Sequence, residues 1–210
     1  MAGTRYLYLH GFASGPHSQK GVAFEDHFAP CGIAIERLDL RVPSFERLRL
    51  SAMIDTVRTA IGDADRAVLI GSSLGGLAAS RVAERDPRVV ALVLLAPAFQ
   101  LVERWRLHLA DAWDDWRRSG WYEVPDRTTG QTARVDFGFA EDVAAIDVGF
   151  PEIAISTLIL HGVRDEVVPI ARSREFAAIN DQVELVELDD DHELIASLPR
   201  LLIEAEAFLR

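Results

Sequence analysis

The chain has 210 residues, 49% of them hydrophobic, and a formal net charge of −11. That length suits a single domain, residues 1–210, with a sizeable core, and the composition excludes a disordered chain. The acidic balance, with Lys20 as the only lysine, disfavours nucleic acid and anionic membrane surfaces as partners.

Strand-like and helix-like segments alternate along the chain. Tyr6 to Leu9 is predicted as a first strand and Ser18 to Pro30 as a helix offering Val22, Ala23, Phe28 and Ala29 for packing. Ile33 to Leu38 follows as a strand. Phe45 to Ile61 is predicted as a helix, with Leu48, Ala52, Ile54 or Asp55, and Thr59 at helical spacing and Gly62 as its stop. Val68 to Ile70 is a buried strand, and Leu77 to Arg85 the helix after it. Val89 to Leu95, Thr157 to Leu160 and Val183 to Leu188 complete six strands, and Leu194 to Phe208 is a final helix. This order predicts a mostly parallel six-stranded sheet inside a three-layer α/β/α sandwich.

The rhythm breaks over residues 98–153, a small lid insertion carrying all four tryptophans, Trp105, Trp113, Trp116 and Trp121. Leu101 to Arg118 is predicted as one amphipathic helix ending at Gly120, with Leu101, Trp105, Leu109, Ala112 or Trp113, and Trp116 along one face. Thr128-Thr129-Gly130 marks a hairpin turn. Trp105 and Trp113 are the candidates for an apolar wall that receives a substrate's acyl group. Packing of the insertion is the plainer role for such a stripe, and a homodimer surface the third.

One cysteine, Cys31, excludes an intramolecular disulfide and reads as a small buried packing residue. No stretch reaches the roughly 18 consecutive apolar residues of a membrane helix. The first residues lack a basic region followed by an apolar signal core, so a cytoplasmic location is expected.

Gly71-Ser72-Ser73-Leu74-Gly75 is a Gly-x-Ser-x-Gly pattern between a strand and a helix. About 0.07 such matches arise by chance in a chain of this length, so the flanking elements and partners decide its meaning. The pattern turns a strand sharply into a helix and exposes the central hydroxyl. A serine needs a base, and the base an orienting acid. His161-Gly162-Val163-Arg164-Asp165 follows the fifth strand, and Asp189-Asp190-Asp191-His192 the sixth. Ser73, Asp165 and His192 therefore share one sheet edge, in the chain order expected for a triad on parallel strands. Glu166 is the nearest substitute acid. His10-Gly11-Phe12, after the first strand, can aim backbone N–H groups at an oxyanion, with Phe12 and Leu74 as the expected donors. His10 and His161 read as loop-shaping residues, and His17, His27 and His108 as helix residues. Asp189, Asp190 and Asp191 read as a solvated turn without metal-ligand spacing. Gly71 to Gly76 lacks both the dinucleotide and the P-loop glycine patterns.

Tyr8-Leu9-His10-Gly11-Phe12-Ala13-Ser14-Gly15-Pro16 with Ser18 and Lys20, together with Gly71 to Gly76, resembles the small bacterial YqiA-type esterases of the α/β-hydrolase superfamily, over nearly the whole chain. Thr129-Gly130 fits the turn in that family's short lid, and Gly162 to Val167 its acid loop. The resemblance implies a minimal α/β-hydrolase sheet and serine esterase activity on small or short-acyl esters. No metal or organic cofactor is expected. Thioester hydrolysis and acyl transfer use the same groups, and a non-catalytic binding or scaffold protein of the same fold is the rival from another class. A neutral base is required, so activity is expected to fall in acid through the ordinary imidazole range near about pH 6.5.

Overall fold

Six runs rich in Val, Leu and Ile form one sheet whose pairing is parallel throughout. The computed structural model describes residues 3–210. In chain order the strands are β1 (Thr4–Leu9), β2 (Ile35–Leu38), β3 (Arg66–Ser72), β4 (Val89–Leu95), β5 (Trp121–Pro125), β6 (Thr132–Asp136), β7 (Ser156–Gly162) and β8 (Val183–Leu188). Strands β5 and β6 pair antiparallel in a separate hairpin. The sheet order is β2-β1-β3-β4-β7-β8. The chain thus steps outward from β1 to β2 and returns past β1 to β3. The loops leaving β1 and β3 diverge at this switch point, where open α/β sheets form their ligand crevice.

Alternation along the strands feeds two cores. Leu7, Leu9, Leu69, Leu92, Leu94 and Ile159 face one side, and Tyr8, Ile70, Val93, Leu95, Leu158 and Leu160 the other. The helices are α1 (Gln19–Phe28), α2 (Leu50–Ile61), α3 (Leu74–Ala83), α4 (Leu101–Leu109), α5 (Asp111–Ser119), α6 (Gly138–Ile146), α7 (Ala171–Ala178) and α8 (Leu198–Leu209). Residues from α2, α3, α6 and α7 close the first core; Phe24 and Phe28 of α1 with Leu201 and Ala205 of α8 close the second. The architecture is a three-layer α/β/α sandwich.

Several local expectations are corrected. Helix α1 packs through Phe24 and Phe28 rather than Val22 and Ala23, and Ala29 is exposed. It starts after His17, at Ser18, whose Oγ accepts from the Gly21 N–H at 3.3 Å. The helix predicted from Phe45 is a single 3-10 turn followed by α2, because Arg49 is extended (φ −142°). Its buried stripe is Leu50, Met53, Ile54, Val57 and Ile61, and Gly62 ends it at φ +56°. Leu194 to Ser197 forms turns before α8. Helices α6 and α7 were not foreseen. Cys31 is exposed, not a packing residue.

The long helix predicted in the insertion is two, broken at Ala110 (φ +45°). Trp113 and Trp116 of α5 pack edge to face with each other, and both contact Phe137. The Trp116 indole N–H donates to the Val135 carbonyl at 3.0 Å. Arg–Asp pairs tie this segment to the body. Arg41 holds Asp126 with two bonds of 2.8 and 2.7 Å, Arg49 holds Asp136 with two of 2.7 and 2.9 Å, and Arg81 reaches Asp147 at 3.0 Å. Such paired, planar bonds carry geometry as well as energy.

Candidate active site

Ser73 occupies a backbone conformation that L-residues rarely adopt, φ +52° and ψ −114°, between β3 and α3. The surrounding backbone imposes it. The Ser73 N–H donates to the Leu95 carbonyl at 2.8 Å, and its own carbonyl accepts from Ala98 at 3.1 Å. The glycine two residues on is a steric necessity: a Cβ on Gly75 would lie 2.2 Å from the Leu9 carbonyl oxygen and 2.6 Å from that of His10. Helix α3 therefore runs hard against the end of β1, which brings the loop after His10 beside the serine.

The His192 loop is seated in the same way. A Cβ on Gly162 would lie 2.4 Å from the Asp190 carbonyl oxygen, so the loop passes directly over the end of β7. Asp190 is buried, against the expectation of a solvated turn. Its carboxylate accepts from the N–H groups of Asp191 at 2.8 Å and Ser197 at 2.7 Å. Burial opposes its ionisation, but these bonds hold its carboxyl below the usual range. Asp189 and Asp191 are exposed.

The structure brings Ser73, His192 and Asp165 into one chain of hydrogen bonds. His192 Nε2 is 3.1 Å from Ser73 Oγ, and Nδ1 is 2.7 Å from Asp165 Oδ2. A carboxylate only accepts, so Nδ1 carries the ring proton and Nε2 faces the serine as an acceptor. Asp165 Oδ1 accepts from the N–H groups of Val167 at 2.9 Å and Val168 at 2.7 Å. Burial works to raise the Asp165 pKa, yet the bonds from His161, His192 and Val168 hold it well below the ordinary carboxylate range. Glu166 is exposed.

His161 does more than shape a loop. Fully buried, it points Nε2 at both Asp165 Oδ2 (3.1 Å) and the Val168 carbonyl (2.8 Å). Both are acceptors, so Nε2 is protonated, and Nδ1 accepts from Ser173 Oγ at 2.8 Å. The ring thus fixes the carboxylate that orients His192. His-x-x-x-Asp across a strand end was the available signal. His10 remains a loop residue, accepting at Nε2 from the Leu40 N–H at 3.0 Å.

A cavity of about 260 Å³ opens over Ser73, bordered by Gly11, Phe12, Leu74 and His192. Neither the Phe12 nor the Leu74 backbone N–H donates to an acceptor among the described residues, so both are available to a ligand. Of the candidate tryptophans, Trp105 borders this cavity. Trp113 does not: it is buried at 8% exposure and borders a separate surface hollow with Arg106 and Phe137. Splitting the predicted helix at Ala110 turns it away. Lys20, to which the sequence assigned no chemistry, also borders the cavity and is buried at 8% exposure. Its Nζ donates to the Glu193 carbonyl at 2.6 Å. Burial lowers its pKa from the ordinary lysine value, opposed by the charge of Glu193.

Residues 5–209 match the model of a family described as an uncharacterised protein family, UPF0227. The chain belongs to the UPF0227 family. The match bears out the YqiA-type resemblance. No curated protein gives a significant sequence match. Among solved structures this UPF0227 chain is similar to the mouse alpha/beta hydrolase domain-containing protein 10, at 23% identity and a TM-score of 0.81, covering 97% of this chain and 88% of that one. Est1E from Butyrivibrio proteoclasticus, solved with ferulic acid bound, is similar at 20% identity and a TM-score of 0.77, over 99% and 88% of the two chains. A structure from the metagenome-derived lipolytic enzymes LipS and LipT is similar at 17% identity and a TM-score of 0.77, over 100% and 95%. These likenesses identify the α/β-hydrolase fold. Among the described residues no helix is long and apolar enough to cross a membrane.

Proposed function

We propose that the protein is a serine carboxylester hydrolase acting on small or short-acyl esters through an acyl-enzyme on Ser73. The observation that carries this reading is the Ser73–His192–Asp165 chain, 3.1 and 2.7 Å, at the edge of a cavity bordered by two free backbone N–H groups. The structural neighbours described as Est1E and as lipolytic enzymes add support.

Ser73 Oγ attacks the ester carbonyl carbon as its proton passes to His192 Nε2. The tetrahedral oxyanion accepts hydrogen bonds from Phe12 and Leu74 N–H, each worth on the order of 3 kcal/mol at the transition state. Collapse expels the alkoxide, which takes the proton back from Nε2 and leaves as the alcohol. Water then attacks the acyl-enzyme with His192 again as base, releasing the acid and restoring Ser73. Asp165, held anionic, stabilises the imidazolium formed in each half-reaction. Trp105 supplies apolar wall for the acyl chain.

Steady-state kinetics on p-nitrophenyl acetate, butyrate and hexanoate test this reading. Turnover by the wild type is expected, with a loss of at least about 10⁴-fold in kcat for a folded Ser73→Ala protein. Undiminished turnover in that variant would contradict it.

A further inference from the structure

The cations of this molecule are unevenly paired. Most arginines sit within 4 Å of a carboxylate, including Arg41, Arg49, Arg81 and Arg127. Two of the cations bordering the cavity beside Ser73, Arg104 and Lys20, have no such partner among the described residues. Arg104 spends its donors on backbone carbonyls, Nη1 on Val167 at 2.7 Å and Nε on Phe99 at 3.2 Å. Its Nη2 is shut off from solvent and has no partner among the described residues. Lys20 is buried with one bond, to the Glu193 carbonyl. Arg127 and Glu193 border the cavity too, and neutralise each other. Asp165 stands behind His192 and does not border the cavity. In a chain of net charge −11, the space beside the serine is therefore bordered by two cations with no carboxylate within 4 Å among the described residues.

A buried guanidinium donor without a partner costs stability unless something offsets it. Arg104 also sits within the apolar wall: Leu101 and Trp105 flank it on α4, and Val167 and Val168 border the same space. An acyl chain laid along that wall meets a cation rather than more hydrocarbon.

We infer, resting on the esterase reading, that the favoured substrates are esters whose acyl group carries a carboxylate, half-esters of short dicarboxylic acids, with Arg104 as the specificity-determining residue. The acyl carboxylate pairs with the Arg104 guanidinium, which turns Nη2 from its enclosed position toward the cavity to donate, and Lys20 on α1 adds positive potential. Neutral esters of equal length leave Arg104 unpaired, and the difference is one of selectivity rather than of mechanism.

The test compares ethyl hydrogen adipate with ethyl hexanoate by pH-stat titration. The wild type is expected to show at least a tenfold higher kcat/KM for the charged ester. Arg104→Met should lower that ratio at least tenfold, Arg104→Lys should restore part of it, and Lys20→Met should lower it about threefold. Arg47→Met, the same charge loss on an exposed residue outside the cavity, should leave the ratio unchanged. A wild type that prefers ethyl hexanoate, or folded Arg104 and Lys20 variants that lose both activities in equal proportion, would overturn the inference. Calorimetric titration of adipate into Ser73→Ala protein separates this from the esterase reading. Saturable binding that weakens tenfold with Arg104→Met supports the inference even if neither ester turns over, and no binding overturns it.

Discussion

At the sheet edge the reactive side chains are held by backbone, whereas in the insertion the structure is held by side chains. Ser73 and His192 stand where they do because Gly75 and Gly162 let main chain pass against main chain. The segment from α4 to α6 has no such contacts to the sheet. It is fastened by Arg41–Asp126, Arg49–Asp136 and Arg81–Asp147 and by packed aromatic rings. The first kind of support tolerates almost no change of volume. The second is graded, because each pair or ring contributes a separate increment. Under the proposed esterase reading, that division keeps the reacting groups fixed while the wall that would read the acyl group can vary.

The comparison is broken most severely at Gly75. Gly75→Ala places a Cβ against two carbonyl oxygens and should cost about 4 kcal/mol, read as a drop in the denaturant midpoint. A loss under about 1 kcal/mol would mean that the sheet edge yields more than the packing allows. In the insertion, Trp113→Ala should cost about 3 kcal/mol while leaving chain-length preference among p-nitrophenyl esters unchanged. Trp105→Ala should shift that preference toward longer acyl chains. Reversal of these two outcomes would move the acyl wall to the other tryptophan.

Next in size is Asp126. The Arg41 hydrogen bonds and charge hold its carboxyl well below the usual range, against the effect of burial. Asp126→Asn should cost about 2 kcal/mol. Because Asp126 and Asp165 are both more acidic folded than unfolded, the folded state binds fewer protons in acid. Their stabilisation is complete above the unfolded carboxylate value near about 3.9 and is lost as pH falls below it. Acid titration of wild type and Asp126→Asn, followed by circular dichroism, should show a shallower loss below about pH 4 for the variant. The smallest effect is expected for His161→Phe, which removes one donor to Asp165. A fall of about tenfold in kcat at unchanged KM, equal to about 1.4 kcal/mol, distinguishes positioning of the acid from loss of substrate binding.

How far these features were legible follows the same division. Strand β4 is readable to the residue, because a central parallel strand buried on both faces is an uninterrupted apolar run. The strand tips then brought Ser73, Asp165 and His192 together from topology alone. What escaped was set by contacts and backbone turns that residue periodicity does not encode. Arg49 interrupts a helical pattern because it is engaged with Asp136, and Ala110 breaks α4 from α5 in a stretch whose periodicity reads as continuous. Asp190 looks like a solvated turn until its partners Asp191 N–H and Ser197 N–H are known. The sequence carries no signal for the burial of Lys20, whose Nζ reaches the Glu193 carbonyl in the His192 loop. Trp113 lay on the predicted stripe with Trp105, and only the break at Ala110 separates their faces.

The central claim is that Ser73 is the nucleophile, and the most direct test is fluorophosphonate labelling followed by peptide mass mapping. The account predicts a single adduct on the peptide containing Ser73, abolished in Ser73→Ala and in wild type denatured before labelling. An adduct on another residue, or none on the folded wild type, would contradict it.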